Sequence, residues 1–356
     1  MAQGFSIQFN GSVNAKLGNP AGVEVYECVG EPASFRLNYA IDVLDGDLPL
    51  LKDQALSAGS DITVLVPVSE GFTALVKGPV RGQHIHLTHG GEGSVLDVVG
   101  ADSSLAMDRE DKAHLWSDVT DSQIVTTILQ QHGFAQLDVQ DTPTNHPETK
   151  HALVQRDTDL GLIRRLAARN GFLFWVTYDA ESKTETAHFK RPPLESEPAA
   201  ELVINLTDPR ANLDTLDIQW DAEAPASASA GEMDLNTGDG LDGALSASPL
   251  TPLASKHFSA IGATPRTLHL SVPVDDAGDL RARSEGALID AEWFVRARGQ
   301  TAFHSLGKVL RAHTVVKVRG AGSRHSGKWF CHSVRHVIDA VEHRMEFELI
   351  RNAWEE

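Results

Sequence analysis

Two stretches at opposite ends of the chain place apolar side chains at every second residue, and this constrains the fold more than any other feature. Between residues 5 and about 100 the runs "FSIQFNGSV", "VEVYECVG", "SFRLNYAIDV", "ITVLVPV", "FTALVKGPV", "HIHLTHG" and "SVLDVVGAD" follow one another. They are rich in Val, Ile, Phe and Thr, and Gly, Asp, Asn and Pro punctuate them. A period of two turns alternate side chains to one face of an extended chain, so such segments must share sheets to bury that face. Short strands at this spacing predict an antiparallel barrel or sandwich. In "ITVLVPV" Ile62, Val64, Val66 and Val68 fall on one face, and Pro67 marks an edge or a strand end. The pattern returns in "VLRAHTVVKVRG", "GKWFCHSVRHVID" and "HRMEFELIRNA". In the last, Met345, Phe347 and Leu349 oppose Glu346 and Glu348.

Between these ends the period changes. "SDVTDSQIVTTILQQHGF" has Thr120 and Gln123 at capping-box spacing, Asp121 in the first turn, and a stripe of Ile124, Val125, Ile128 and Leu129. Gly133 supplies a left-handed stop. "QRDTDLGLIRRLAARNGFLFWV" predicts a second helix capped by Asp157 or Thr158 and ended at Asn170-Gly171. Leu160, Ile163 and Ala167 line its apolar stripe. "FLFWVTYD" and "TAHFKRP" read as a hairpin. Strand character continues through "ELVINLTD" and "LDTLDIQWD". Residues 222–255, rich in Ala, Ser, Gly, Asp and Pro, are expected to form a flexible excursion. "TLHLSVPV" resumes as strand, and a third helix is expected over 279–298 with Gly299 as its stop. The resulting partition is 1–112, 113–200 and 201–356: a β-rich piece, a small α+β piece and a second β-rich piece. The two β-rich ends share no residue-level repeat.

Composition removes several classes of function. Among 356 residues, 49 are Asp or Glu and 31 are Lys or Arg, a formal charge of -18. That balance disfavours nonspecific nucleic-acid or membrane-surface binding. Two cysteines, Cys28 and Cys331, lie far apart, which excludes a cysteine zinc cage and a disulfide-dense scaffold. "MAQGFSIQFNG" has no basic segment followed by an apolar one, so no signal peptide is expected. No run approaches the roughly 18 apolar residues of a membrane-spanning helix.

Candidate chemistry has a structural alternative at each place. In "HIHLTH", His84 and His86 project from one strand face and two imidazoles can share a zinc, but no third ligand is singled out. Outward histidines with Ile85 and Leu87 inward explain the run as well. His332 and His336 are four apart, expected on one strand face, too far for a shared metal. Arg156, Asp157 and Asp159 resemble an acid/base cluster, yet carboxylates just before an apolar-periodic segment are commonly helix caps. "RGAGSRHSGK" (319–328) is basic and glycine-bearing, but no helix follows it to complete a phosphate cradle. It reads as a hairpin loop. Arg311, Lys317, Arg319, Arg324 and Lys328 form a basic C-terminal group in an acidic chain, either a protein-protein surface or a solvated face. No GxSxG, HExxH, Walker A or GxGxxG fingerprint occurs. No catalytic, cofactor-binding or metal-ligating residue is therefore assigned.

The run "VQRDTDLGLIRRLAARNGFLFWV" resembles a segment of phage late control D proteins and of the N-terminal part of VgrG proteins. Arg156, Asp157, Thr158, Asp159, Leu162, Arg165, Leu166 and Gly171 fall on that pattern. "TDSQIVTTILQQHGF" resembles the preceding helix of the family. "ANLDTLDIQWD" resembles a strand leading into a variable insertion. "SGKWFCHSVRHVID" followed by "FELIRN" resembles its terminal hairpin. The likeness spreads over most of the chain and is weakest in the first 110 residues.

This resemblance implies a mostly β fold with α+β insertions: two tube-like antiparallel β-barrel domains plus a small α+β domain. It implies a non-enzymatic baseplate hub of a contractile phage tail or injection system, made in the cytoplasm and assembled as a homotrimer. Six barrels in the trimer would match a six-fold inner tube or tube-initiator protein on one side and a three-fold spike on the other. Baseplate wedge proteins are further expected partners; membrane insertion, specific nucleic acid and a cofactor are not. The chain ends at Glu356 directly after the terminal strand, so the spike is expected to be a separate polypeptide. Three copies would carry roughly -54, three times the chain charge, which suggests a negative ring around a lumen. The competing class is a tail-associated cell-wall hydrolase using carboxylates.

Overall fold

The computed structural model describes residues 4–41, 48–149, 152–204, 210–221, 223–233, 238, 240–257, 266–270 and 277–355. Strand makes up 44% and helix 18%, so the mostly β expectation holds. Residues 205–208 of "ELVINLTD", 271–274 of "TLHLSVPV", and 222, 234–237 and 239 of the segment 222–255 lie outside the described residues.

The N-terminal strands are β1 (Ser6–Phe9), β2 (Ser12–Val13), β3 (Gly22–Cys28), β4 (Ser34–Ala40), β5 (Asp61–Pro67), β6 (Phe72–His86) and β7 (Val95–Ala101). β5 ends at Pro67, as a residue without an N–H requires. "FTALVKGPV" and "HIHLTHG" are one long strand: β6 pairs with β5 through its first half and with β7 through its second, with register shifts at Val64/Leu65 and Val80/Gly82. Bulges of this kind bend a strand and let one sheet turn a corner. Ile7, Val23, Val25, Leu37, Ile62, Val64, Leu96 and Val98 form the first core.

The middle piece holds β8 (His114–Trp116), α1 (Asp121–Gln131), β9 (Gln136–Val139), β10 (Leu153–Gln155), α2 (Asp159–Asn170), β11 (Leu173–Asp179) and β12 (Thr184–Lys190). The capping box forms: Gln123 N donates to Thr120 Oγ1, and Thr120 N donates to the Gln123 side chain. Thr158, rather than Asp157, caps α2, and Gly171 closes it at φ 64°. β11 and β12 pair as the expected hairpin, and β9 adds to β12 in parallel. The α1 stripe, the α2 stripe, Phe174 and Phe189 share a second core.

The last piece holds β13 (Glu201–Val203), β14 (Thr215–Trp220), β15 (Pro225–Met233), β16 (Gly240–Asp242), β17 (Lys256–His257), β18 (Arg266–Leu270), α3 (Ala277–Ala291), β19 (Val295–Ala302), β20 (Val315–Arg319), β21 (Gly327–Ile338), β22 (His343–Arg351) and β23 (Ala353–Trp354). Two expectations change here. The excursion 222–255 is not all loop: β15 pairs in parallel with β18 and in antiparallel with β16. Small side chains mislead a hydropathy reading, because Ala226, Ala228 and Ala230 are buried at alternate positions. The third helix ends at Ala291, not 298, since Val295 and Ala297 alternate inward in β19. Gly299 is therefore no helix stop. A Cβ there would stand 2.6 Å from Thr215 O and 2.7 Å from Phe347 Cζ, so glycine lets the Phe347 ring lie against the sheet.

β21 pairs with β3 from Ser333↔Cys28 to Ile338↔Val23, joining the two ends of the chain. The result is one 13-stranded sheet in the order β14-β19-β22-β21-β3-β4-β7-β6-β5-β1-β2, with β20 and β13 branching from β21. Among the described residues this pairing closes neither end into a barrel.

Candidate functional site: a charged sheet face and a cavity where three pieces of the chain meet

The face of the joined sheet turned away from its cores is polar where β19, β22, β21 and β3 lie side by side. Arg296 and Arg298 reach Glu348 at 2.7 and 2.9 Å. Arg335 reaches Glu346 at 3.3 Å and Glu24 at 3.0 Å, and Arg344 reaches Glu346 at 3.3 Å. All but Arg344–Glu346, which lie two apart on β22, cross strands, so their partners are decided by register. Burial would raise the Glu348 carboxyl, but hydrogen bonds from Arg298 and Arg296 hold it below its usual range. This face is a ladder of opposite charges rather than a uniformly acidic wall. The chain's acidity does not collect on it.

A cavity of about 320 Å³ lies where the middle piece meets both ends of the chain, lined in part by Glu27, Asp102, Trp175, His188, Arg311 and His313. The Arg311 guanidinium fills one side. Its Nε donates to Glu27 Oε1 at 2.7 Å, Nη1 to Ala74 O at 2.6 Å and Nη2 to Leu75 O at 3.0 Å, while Ala312 N donates to Glu27 Oε2. One arginine fork thereby ties the C-terminal piece to two N-terminal strands. His188 and His313 both stack on Trp175, with centroids 4.5 and 4.6 Å away. His188 is held by Asp138 and Thr177. His313 takes a left-handed backbone, φ 63°, and its enclosed Nε2 has no hydrogen-bond partner among the described residues. Burial first, then nearby His188 and Arg311, push its pKa down to about 3. Burial pushes Asp102 up to about 6, against hydrogen bonds from Ser104 and Ala33 N. His188 is committed on both ring nitrogens, and the Cys28 thiol, which burial raises, lies 3.9 Å from His332 Nε2.

The acid/base candidates do not converge on a cleft. Asp159 is buried and accepts from Lys112, His132 and Gln155, which keep its carboxyl low despite burial. Asp157 pairs with Arg165 at 3.2 Å, and Arg156 points to solvent. His84 and His86 are exposed; His84 Nδ1 lies 3.9 Å from Asp97. No group of three metal-ligating side chains occurs among the described residues. His332 and His336 do not share a face. The register shift between Cys331 and Ser333 leaves His336 inward, fully buried, and His332 half-buried on the other side. The basic C-terminal group is dispersed into contacts: Lys317 and Arg319 with Glu201, Lys328 with Ser196 O, Arg324 over Trp354. The loop 319–328 joins β20 to β21 as a hairpin and carries a single helical turn, Gly322–His325. Both cysteines are free. Sequence reasoning missed Glu27, Asp102, Trp175 and His313, because segments far apart in the chain supply them.

No helix among the described residues is long and apolar enough to cross a membrane. No curated protein matches the chain by sequence. Among solved structures, a tail protein from Neisseria meningitidis MC58 superposes with a TM-score of 0.68 at 15% identity, covering 98% of this chain and 97% of that one. The 43 kDa tail protein of prophage MuSo2 from Shewanella oneidensis gives 0.66 at 14%, covering 99% of each. An E. coli component of the type VI secretion system, described as structurally similar to the T4 bacteriophage tail proteins gp27 and gp5, gives 0.59 at 14%, covering 94% of this chain and 73% of its own. The chain thus has the fold of phage tail and type VI secretion proteins along nearly its whole length. A family described as the Alg8 N-terminal domain matches residues 33–340, and the chain belongs to that family.

Proposed function

We propose that this protein is a structural hub in the baseplate of a contractile phage tail or injection system, of the late control D and VgrG kind. The observation that carries the reading is the end-to-end likeness to two tail proteins, with nearly all of each chain covered. A catalytic module added to an unrelated scaffold would match over part of its length only. The interior supports the reading too: the chain's two ends are fastened into one sheet, as a load-bearing part requires. Two of the cavity's charged groups, Arg311 and Glu27, tie the C-terminal piece to N-terminal strands.

In this reading residues 1–112 and 201–356 are the two tube-like domains and 113–200 is the α+β unit between them. Three copies form a ring that adapts a six-fold inner tube, or its initiator, to a three-fold spike. Wedge proteins surround that ring. The test is native mass spectrometry of the full chain, alone and with its spike and tube proteins. Trimers, or trimers formed on adding spike protein, are expected. Monomer under every condition would overturn the hub reading, as would turnover of purified cell wall lost on mutating carboxylates.

A further inference from the structure

Strand β14 stands at one end of the large sheet. Among the described residues it pairs with β19 alone, so the backbone groups on its other edge meet no strand. Its core-facing side chains show the same deficit. Leu216 and Ile218 are only half-buried and Trp220 is 53% exposed, whereas Val295 and Ala297 of the adjoining strand are 0% and 1% exposed. The apolar layer therefore runs past the last strand, and one more strand would cover it. A groove of about 520 Å³, lined by Trp220, Trp293 and Phe294, continues from that end.

Strand β14 itself carries no basic residue, although Arg266 and Arg296 line the groove at its end. Asp214, Asp217, Asp221 and Glu223 are exposed and form no ion pair among the described residues. Arg298 lies opposite Asp217 in register but turns to Glu348 instead. We infer that β14 is a docking edge for an extended segment of another protein in which apolar residues alternate with lysine or arginine. The apolar set would cover Leu216, Ile218 and Trp220. The basic set would lie beside Asp217 and Asp221, and the main chain would extend the sheet. A second copy of this chain fits less well, because its own strand of that kind, β20, is already paired on both edges. The inference rests on the free edge and does not depend on the hub assignment.

The test titrates the full chain with a ten-residue peptide alternating valine and lysine, by calorimetry and by hydrogen exchange. Controls are a valine–glutamate peptide and one with the same valines and lysines in two blocks. Only the alternating basic peptide should bind, with new protection at 215–220. Raising salt to 0.5 M should weaken it roughly tenfold, as exposed charge pairs are screened. Asp217→Lys with Asp221→Lys should weaken it at least as much while leaving the circular dichroism unchanged. Equal binding by either control, or full affinity in the double variant, would overturn the inference. So would no binding at all, since the carboxylates would then only guard the edge. A change in the oligomeric state of the double variant without peptide would make a second copy the occupant and also overturn it.

Discussion

The Trp175 indole lies flat on the His313 imidazole, with ring centroids 4.6 Å apart and planes 7° apart. Trp175 belongs to the α+β hairpin and His313 to the turn before β20, so this contact docks one piece of the chain on another. An aromatic pair contributes about 0.5–1.5 kcal/mol beyond its buried area. His313→Asn keeps a side chain that tolerates the left-handed backbone and removes the ring. It should lower stability by about 1 kcal/mol in urea unfolding and raise hydrogen exchange along Leu173–Asp179. Unchanged exchange there would mean that the stack does not hold the joint.

A second histidine pair predicts how stability depends on pH. His336 Nδ1 and His343 Nε2 are 3.0 Å apart inside the C-terminal sheet, and the His336 Nε2 is unpaired. Burial lowers His343 to about 4 and, with His343 and Arg311 nearby, takes His336 well below its usual value. Their unfolded pKa is about 6.5. Their stabilising share is therefore complete above that value and is lost as pH falls toward the folded values. The loss is at most about 1.4 kcal/mol per pH unit for each site. Asp102 acts in the opposite sense: its folded pKa of about 6 lies above the unfolded one, so its share is present in acid and lost as pH rises through 6. The urea midpoint should fall between pH 6.5 and 4.5, and His336→Leu with His343→Phe should flatten that fall.

Asp159 tests whether the motif at 156–159 is structural. Its buried carboxylate collects Lys112, His132 and Gln155 at the first turn of α2. Asp159→Ala leaves those donors without their acceptor and should cost about 3 kcal/mol. Thr158→Ala, which removes the cap, should cost about 1 kcal/mol, and Thr158→Ser should restore it. Loss of a measurable turnover at unchanged stability would contradict the structural role.

Helices α2 and α3 touch at Gly286. A Cβ there would lie 2.6 Å from both Ala168 O and Arg169 O. Alanine is the better helix former by about 1 kcal/mol, so Gly286→Ala would stabilise an isolated helix. In this protein it should destabilise by about 2 kcal/mol, since the backbones must separate. A thermal midpoint equal to or above that of the unsubstituted chain would show that α3 can shift without cost.

Local patterns alone determined much of this protein. Thr120 with Gln123, Asp157 or Thr158 before Asp159, and Gly171 after Asn170 specify the ends of α1 and α2, because caps act within four residues; the structure selects Thr158. Alternation in 343–351 specified which face of β22 is buried, because the pleat has period two. Tertiary structure decided what depends on distant partners. Alanines at 226, 228 and 230 carry too little hydrophobic signal to reveal a strand, and only pairing with 266–270 makes them one. "VRARG" reads as the tail of a helix until β14 and β22 flank it. The bulge at 331–333 sends His332 and His336 to opposite faces, which no count of residues foretells. The fastening of Arg311 to Glu27, and of His313 to Trp175, joins residues separated by far more chain than any periodicity spans. Hydrogen-bond geometry and ring stacking act through space. Their partners become defined only when the sheet has brought both ends of the chain together.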